Sequence, residues 1–153
     1  PGAILWLTLF RDKIDEIMEQ VKCPVAVFVN RQYREGATVS FVLGGMIDLF
    51  LFSYLDKMLQ NGHSVRLFLF DTDDEEFRGR IDDLQVRYPE QTMIVWFAGV
   101  EDLVTEEKDG LLIMSHLSYT KLSEDEAVMR ELSSLLVIRR NKNTGDKNEG
   151  LEN

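Results

Sequence analysis

The sequence predicts an α/β domain with a three-layer, open and mainly parallel sheet of the Rossmann-like type. Residues 39–43 are almost all β-formers without polar alternation, which is typical of a strand buried on both faces. Gly44-Gly45 and an apolar-rich run from Asp48 to Gln60 follow, and Asn61-Gly62 marks a helix end. A second apolar run covers 65–70, so these segments form one βαβ unit with a right-handed crossover.

The glycine pair has a physical reason at this position. A tight strand-to-helix turn needs backbone freedom and a close approach that a Cβ would block. Asp48 follows the glycines, and its carboxylate can cap the coming helix or favour the positive end of that helix.

Composition limits the classes of function. The chain has 153 residues, of which 44% are apolar and 29% charged, so we expect one globular domain with a real core. A net charge of −10 argues against nucleic acid and anionic membrane surfaces as partners. The single cysteine, Cys23, fits a reducing compartment, and no apolar run reaches the roughly 20 residues that span a bilayer. Because the chain begins with Pro1-Gly2, we expect a fragment of a longer protein.

The N-terminal part predicts a strand, a helix and a strand. Ala3 to Leu9 is apolar, and the helix of 11–21 places its apolar residues on one stripe. Pro24 prevents the helix from continuing, and the second strand covers 25–29.

Similar units follow the central βαβ unit. The predicted elements are an acidic helix over 71–87 that ends at Tyr88-Pro89, a strand over 93–98, a short helix over 100–108, a strand over 111–115, a polar loop, a helix over 123–132 and a strand over 135–138. The tail of 141–153 is rich in Asn, Lys, Gly and Glu, and we expect it to be disordered.

The first and last segments repeat one pattern. Each is a strand–helix–strand unit whose final apolar strand is followed by a basic residue. We therefore predict three regions: residues 3–31 as the end of a preceding half-repeat, 37–140 as a complete five-strand unit, and 141–153 as a tail. The segment 3–31 should pack beside the complete unit, in the same chain or exchanged with a neighbouring chain.

The complete unit resembles the universal stress protein fold, which implies the strand order 3-2-1-4-5 with helices on both faces. The junction resembles more closely that between the stress-protein-like halves in the cytoplasmic tails of monovalent cation:proton (Na+/H+) antiporters. The matching residues are Pro24, Asn30, Arg31, Gly44, Gly45 and Asp48, whereas Leu43 and Ile47 depart from the pattern.

This resemblance implies a location and partners. The chain would lie on the cytoplasmic side of the cell membrane as part of an integral membrane protein. Its partners would be the membrane domain of its own transporter and a second copy in a homodimer, with no nucleic acid and no direct membrane insertion by this segment.

Nucleotide binding of the usual stress-protein kind is not expected, and neither is any other cofactor. The ATP-binding members have an Asp at the end of the first strand and a glycine-rich run after the fourth. Here the first strand ends at Leu43-Gly44, and residues 115–122 contain no glycine. Without those glycines the backbone cannot wrap phosphates closely, and the acidic balance offers no electrostatic help.

A ligand in an open parallel sheet binds at the carboxyl ends of strands where the strand order reverses. If the implied order holds, that crevice lies between 43–45 and 115–118. The candidate ligand-binding residues are then Gly44, Gly45, His116 and Ser118. The alternative is that the glycines only form a turn and that His116 is a partly exposed loop residue.

A phosphatase is the remaining enzymatic alternative. The strand of 65–70 ends in Asp71-Thr72-Asp73, which resembles the nucleophile motif of Mg²⁺-dependent haloacid-dehalogenase-type phosphatases. Asp74 departs from that motif, and the simpler interpretation makes Asp71 or Thr72 a helix cap. His63 is predicted to lie in a surface turn away from any crevice. No catalytic residues and no metal site are expected.

The helix of 48–60 carries more apolar surface than its core face needs. Its core stripe consists of Leu49, Phe52, Leu55, Met58 and Leu59. Phe50, Leu51 and Tyr54 form a second face, which we expect to pack on a second subunit or on a missing half of the protein. The leading hypothesis is therefore a non-catalytic regulatory or interaction domain of a cation:proton antiporter. A nucleotide-sensing stress protein and a Mg²⁺ phosphatase remain as alternatives.

Overall fold

A seven-stranded sheet with five α-helices makes up the described part of the chain. The computed structural model describes residues 3–6, 11–20, 24–105 and 107–140, with the backbone alone for 3–6 and 11–13. The strands are β1 (Ala3–Trp6), β2 (Val25–Val29), β3 (Val39–Leu43), β4 (Val65–Phe70), β5 (Thr92–Phe97), β6 (Leu111–Ser115) and β7 (Ser134–Arg139). The helices are α1 (Arg11–Gln20), α2 (Phe52–Gln60), α3 (Glu75–Arg87), α4 (His116–Leu122) and α5 (Glu126–Glu131).

Parts of four predictions lie outside the described residues. They are the end of the first strand at 7–9, the end of the first helix at 21, the environment of Cys23, and the state of the tail at 141–153. None of the described helices is both long and apolar enough to cross a bilayer.

The sheet is mainly parallel, as predicted. Its order is β1-β2-β7-β6-β3-β4-β5, and all neighbouring strands run parallel except β2 and β7. β3 has a parallel neighbour on each side, and its residues Phe41 to Leu43 are almost fully buried. An α/β fold with a Rossmann-like layout is therefore confirmed.

The order of the whole sheet differs from the five-strand order that the resemblance implies. β1 and β2 extend the sheet beyond β7, and β2 runs antiparallel to β7 with Val25 opposite Arg139. Within this larger sheet, the five strands from β3 to β7 lie in the order β5-β4-β3-β6-β7, which is 3-2-1-4-5 when they are counted from β3. The physical reason for the difference is that β7 would otherwise be an open edge, and β2 covers it.

Helices cover both faces of the sheet and bury a separate apolar core on each. On one face, α2 and α3 bury side chains over β3, β4 and β5, among them Leu51, Leu55, Leu59, Phe77, Ile81 and Leu84. On the other face, α1 and α4 bury side chains with β2, β6 and β7, and α5 packs partly buried side chains against them. The buried residues include Ile14, Met18, Tyr119, Leu122, Leu132 and Val137. This is the three-layer arrangement that the sequence predicts.

The helix after the glycine pair starts earlier than predicted and has a different inner face. A 3-10 turn covers Met46–Leu51 and continues into α2. Leu51 is fully buried, so its assignment to a second, outward face was wrong. Ile47 and Tyr54 are exposed at 56% and 47%, while Phe50 packs partly against the core.

The acidic helix begins later than predicted, and its cap is a different residue. α3 starts at Glu75, and the Asp74 carboxylate accepts the main-chain N–H of Phe77 at 3.1 Å. The predicted caps Asp71 and Thr72 lie before the helix, where the Asp71 carboxylate pairs with Arg78 at 2.8 Å. The prediction of a cap and an acid-rich first turn was right, but the predicted caps lie two or three residues before the observed cap.

The predicted polar loop after β6 is a helix. The Ser115 hydroxyl accepts the main-chain N–H of Ser118 at 3.1 Å, and α4 begins directly at His116. α4 buries Tyr119 and Leu122, which its polar composition conceals. The predicted helix over 123–132 shortens to α5, which Asp125 caps. The predicted helix over 100–108 shortens to a 3-10 turn, Val100–Leu103.

Two arginines connect the N-terminal strand–helix–strand to the rest of the fold. The Arg31 guanidinium donates to the carbonyls of Met129 and Leu132 at the end of α5, the latter at 3.1 Å. Burial lowers the pKa of Arg31 from its ordinary value. Arg139 of β7 is 7% exposed and donates to the carbonyl of Met18 in α1. Each cation therefore donates to carbonyls near the end of a helix, where the helix itself offers few N–H donors.

Replacing Arg31 tests this connection. We expect Arg31→Met to lower the free energy of unfolding by about 1.5–3 kcal/mol, because the carbonyls at the end of α5 lose a charged donor. Arg34→Met is the matched control, since the Arg34 side chain is 77% exposed and pairs with Asp109 at the surface. It should cost at most about 0.5 kcal/mol. Urea denaturation measures both, and equal losses in the two variants would contradict the assignment.

Candidate functional site

The carboxyl ends of β3 and β6 lie side by side where the order of the sheet reverses. β3 is followed along the chain by β4 on one side, while its other neighbour is β6. This is the place where open α/β sheets bind ligands. Gly44 and Gly45 follow β3 directly, and His116 and Ser118 lie in the first turn of α4 directly after β6. The topology therefore brings the four predicted residues to the same end of two adjacent strands.

A buried carboxylate links the two strand ends. Asp48 is 1% exposed, and its Oδ2 accepts the main-chain N–H of Gly44 at 2.6 Å. The same oxygen accepts the hydroxyl of Ser118 at 3.1 Å. Asp48 lies in the first turn of the 3-10 segment, whose N-cap is Gly45. Of the two roles predicted for Asp48, the cap was therefore wrong, whereas the position of an acid in the first turn, at the positive end of the helix, was right. Its carboxylate instead folds back onto the turn that precedes it.

The second oxygen of Asp48 has a different environment. Oδ1 is buried, and no described residue offers it a hydrogen bond. A buried acceptor without a partner costs free energy, so the Asp48 link carries a built-in penalty. The two bonds to Oδ2 offset that penalty, and removal of either donor would leave the carboxylate worse solvated than before.

Both glycines serve the turn. Gly45 has a φ of +139°, a conformation that residues with a side chain rarely adopt. At Gly44, an added Cβ would lie 3.2 Å from Asp48 Oδ2 and 3.5 Å from Ser118 Oγ. The absence of a Cβ at Gly44 therefore allows the carboxylate and the hydroxyl to approach the backbone closely.

His116 contacts the N-terminal part of the chain. Its Nε2 lies 2.9 Å from Oδ1 of Asp15 in α1, and both side chains are only partly exposed. The pair joins residues 101 positions apart in the sequence. His116 is partly exposed, as the alternative interpretation predicts, but it is the first residue of a helix and a bridge to α1, not a loop residue.

The chemistry of this site differs from that of a phosphate cradle. Phosphate binding would use the main-chain N–H of the glycine turn, but the Gly44 N–H already donates to a carboxylate. The negative charge of Asp48 stands where an anion would need a positive one. The Ser118 hydroxyl donates to Asp48, and both side chains are buried. The arrangement connects the glycine turn after β3 to α4.

The phosphatase candidates occupy a different place. Asp71 and Asp73 follow β4, and the Asp71 side chain is 69% exposed and paired with Arg78. Among the described residues, no group of three or more His, Cys, Asp and Glu side chains could hold a metal ion. This part of the structure supports the helix-cap interpretation, with Asp74 as the cap.

A groove of about 1010 Å³ lies at the opposite end of the sheet, at the amino ends of β3, β4 and β5. His63 lines this groove, so the prediction that His63 lies away from any crevice was wrong. Glu107 also lines it, and its pKa is held below its usual value by a hydrogen bond from Thr38 and by the nearby Arg66 guanidinium. The Arg66–Glu107 pair is 3.3 Å apart.

Sequence reasoning found four residues at one end of the sheet but missed two of their partners. Asp48 was predicted to cap the helix or to favour its positive end, and Asp15 received no role. The signal for Asp48 was its position four residues after Gly44, which lets the carboxylate reach back to the turn.

No protein-family model and no curated protein matches the chain.

The Asp48 link makes a prediction about stability. Asp48→Ala should lower the free energy of unfolding by about 1–3 kcal/mol, because the Gly44 N–H and the buried Ser118 hydroxyl both lose their acceptor. Asp82→Ala, at an exposed position of α3, is the control and should change stability by at most about 0.5 kcal/mol. Chemical denaturation gives both values, and an unaffected Asp48→Ala would remove the structural role assigned to this carboxylate.

Proposed function

We propose that this chain is a non-catalytic regulatory and interaction domain, and that it serves a monovalent cation:proton antiporter on the cytoplasmic side of the membrane. The observation that carries the non-catalytic part is the Asp48 link. It occupies the Gly44 N–H and the Ser118 hydroxyl with a carboxylate of the chain itself. A crevice closed in this way favours a structural connection over the binding of phosphates.

The antiporter part of the proposal is supported by the motif residues of the resemblance. Two of them make contacts that join distant parts of the chain. Arg31 bonds to residues about 100 positions away, and Asp48 bonds to Ser118, 70 positions away. In this chain the motif therefore coincides with the connections between the N-terminal segment, the glycine turn and the last βαβ unit.

A regulatory mechanism follows from how these connections share α4. The start of α4 bonds to α1 through His116–Asp15 and to the glycine turn through Ser118–Asp48. A shift of α1 relative to α4 would break the first pair while the second holds α4 to β3. Two arrangements that differ in such contacts can be populated differently by a signal, provided that the signal binds them with different affinity.

Cation:proton exchange in everted membrane vesicles that contain the complete natural protein tests the proposal. We expect exchange that depends on Na⁺ or K⁺. His116→Ala should retain exchange but shift the half-saturating cation concentration about 5-fold or more, the usual lower range of allosteric coupling. His63→Ala, at the other end of the sheet, is the matched control and should behave as wild type. A complete protein without cation-dependent exchange, or identical behaviour of the two variants, would contradict the proposal.

The nucleotide-sensing alternative predicts a different result in calorimetry. We expect no measurable binding of ATP, AMP or cyclic dinucleotides to this chain, because the turn N–H is occupied and the local charge is negative. Tight ATP binding that disappears in Gly45→Val would favour the nucleotide sensor instead. Mg²⁺-dependent turnover of a generic phosphate ester that disappears in Asp71→Asn would favour the phosphatase.

A further inference from the structure

β5 is an edge strand of the sheet, and its sequence lacks the features that usually prevent pairing with other strands. It is the last strand in the sheet order, and no described strand lies on its outer side. Its sequence, Thr92 to Phe97, contains no charged residue, no proline and no glycine. Edge strands usually carry charges, proline or bulges, because these features prevent association with other strands. The absence of these features in a six-residue edge strand indicates that β5 has a partner.

The main-chain groups available for a partner can be identified from the contacts with β4. The carbonyls of Gln91 and Phe97 accept the N–H groups of Val65 and Asp71 in the β4 segment. Because the direction of these groups alternates along a strand, Met93 and Val95 also face β4. Thr92, Ile94 and Trp96 consequently direct their N–H and C=O groups away from the sheet.

The side chains along this edge are apolar and exposed to an unusual degree. Met93 is 59% exposed and Trp96 is 41% exposed. Phe70, at the end of β4, is 45% exposed and contacts Phe97 edge to face at 5.4 Å. The Arg78 guanidinium lies 4.7 Å from the ring centroid of Trp96 and holds this ring against α3. The edge thus offers exposed apolar side chains together with outward-facing main-chain groups, to which no described strand is bonded.

We propose that β5 pairs in antiparallel orientation with β5 of a second copy of this chain and joins the two sheets into one. The two-fold axis passes through Ile94, so that Ile94 lies opposite its own copy and Thr92 lies opposite the partner's Trp96. These are hydrogen-bonded pairs, so each of the six outward residues of the two strands finds a donor and an acceptor. This inference names the partner of the interaction domain proposed above, and it rests on that part of the proposal.

A register shifted by two residues is less favourable. It would place the axis at Val95 and would need the main-chain groups of Ala98 as part of the ladder. The N–H of Ala98 already donates to the Asp102 carboxylate at 3.3 Å. The register through Ile94 uses residues inside β5 alone, and opposite residues fall on the same face of the joined sheet.

Because β5 is uncharged, a second copy can pair with it without like charges facing each other along the strand. The chain has a net charge of −10, so two copies repel each other at most surfaces. β5 carries no charge, and in the proposed register Met93 lies opposite Val95, so no like charges meet across the strands. The same sequence supplies complementary donors, acceptors and apolar side chains to itself under two-fold symmetry.

Disulfide cross-linking tests the register in a Cys23→Ser background, which removes the single native cysteine. The Cα atoms of a hydrogen-bonded antiparallel pair are about 5.5 Å apart, which is within the range of a disulfide. Ile94→Cys should therefore form a covalent dimer under mild oxidation. Val86→Cys, 79% exposed on α3, is the control and should remain monomeric on a denaturing gel. Equal cross-linking of both variants would overturn the proposal.

The oligomeric state gives an independent test. Light scattering at about 100 µM protein, a concentration that reveals weak dimers, should give a mass approaching twice 17.7 kDa. Ile94→Pro should return the mass to that of the monomer, because it removes an outward N–H without removing a bond to β4. Met93→Lys changes an exposed side chain and should also give the mass of the monomer. Circular dichroism of both variants shows whether the fold is retained.

The results separate this inference from the proposed function. A monomeric wild type, or a dimer that survives in both variants, overturns the β5 pairing and leaves the vesicle assay of the complete protein as the test of the antiporter proposal. A dimer that is lost in both variants while the fold is retained supports the pairing, whatever the outcome of the vesicle assay.

Discussion

The antiparallel pairing of β2 with β7 is the contact on which the arrangement of the other elements depends. It gives β7 a neighbour on each side, and it brings Arg31 next to the end of α5 and Arg139 next to α1. Because α1 is held in this way, Asp15 can reach His116. A sheet that ended at β7 would have neither the second arginine contact nor the link from α1 to the switch point.

Asp48 has the corresponding role at the carboxyl end of the sheet. In a nucleotide-binding fold, the turn after the first strand keeps its N–H groups free for phosphate. Here a buried carboxylate accepts one of these groups together with a hydroxyl from α4. The turn after β3 is therefore connected to α4. Because Gly44 has no Cβ, the side chains of Asp48 and Ser118 can approach its backbone closely.

The predictable parts of the fold were those with a local signal. β3 to β7 begin and end within one residue of the predicted strands, because buried parallel strands form apolar runs between glycine, asparagine and proline residues. α4 was missed because its buried face consists of Tyr119, Leu122 and small polar residues, and because Ser115 acts both as the last strand residue and as the cap. For the candidate site, chain topology predicted that Gly44, Gly45, His116 and Ser118 share one end of the sheet. Their hydrogen-bond partners Asp48 and Asp15 depend on side-chain positions at a scale of 1 Å, which sequence patterns do not contain.

The sequence by itself determined an α/β chain with a central buried strand, a glycine turn, crossover helices and an acidic surface, because each of these follows from neighbouring residues. Only the tertiary structure decided that β2 runs antiparallel to β7 and that the Asp48 carboxylate accepts the main-chain N–H of Gly44. Val25 and Arg139 are 114 positions apart, and no local preference sets the direction in which two such segments pair. The direction is set by which apolar faces and which arginines can be buried together, and this is a property of the folded chain as a whole.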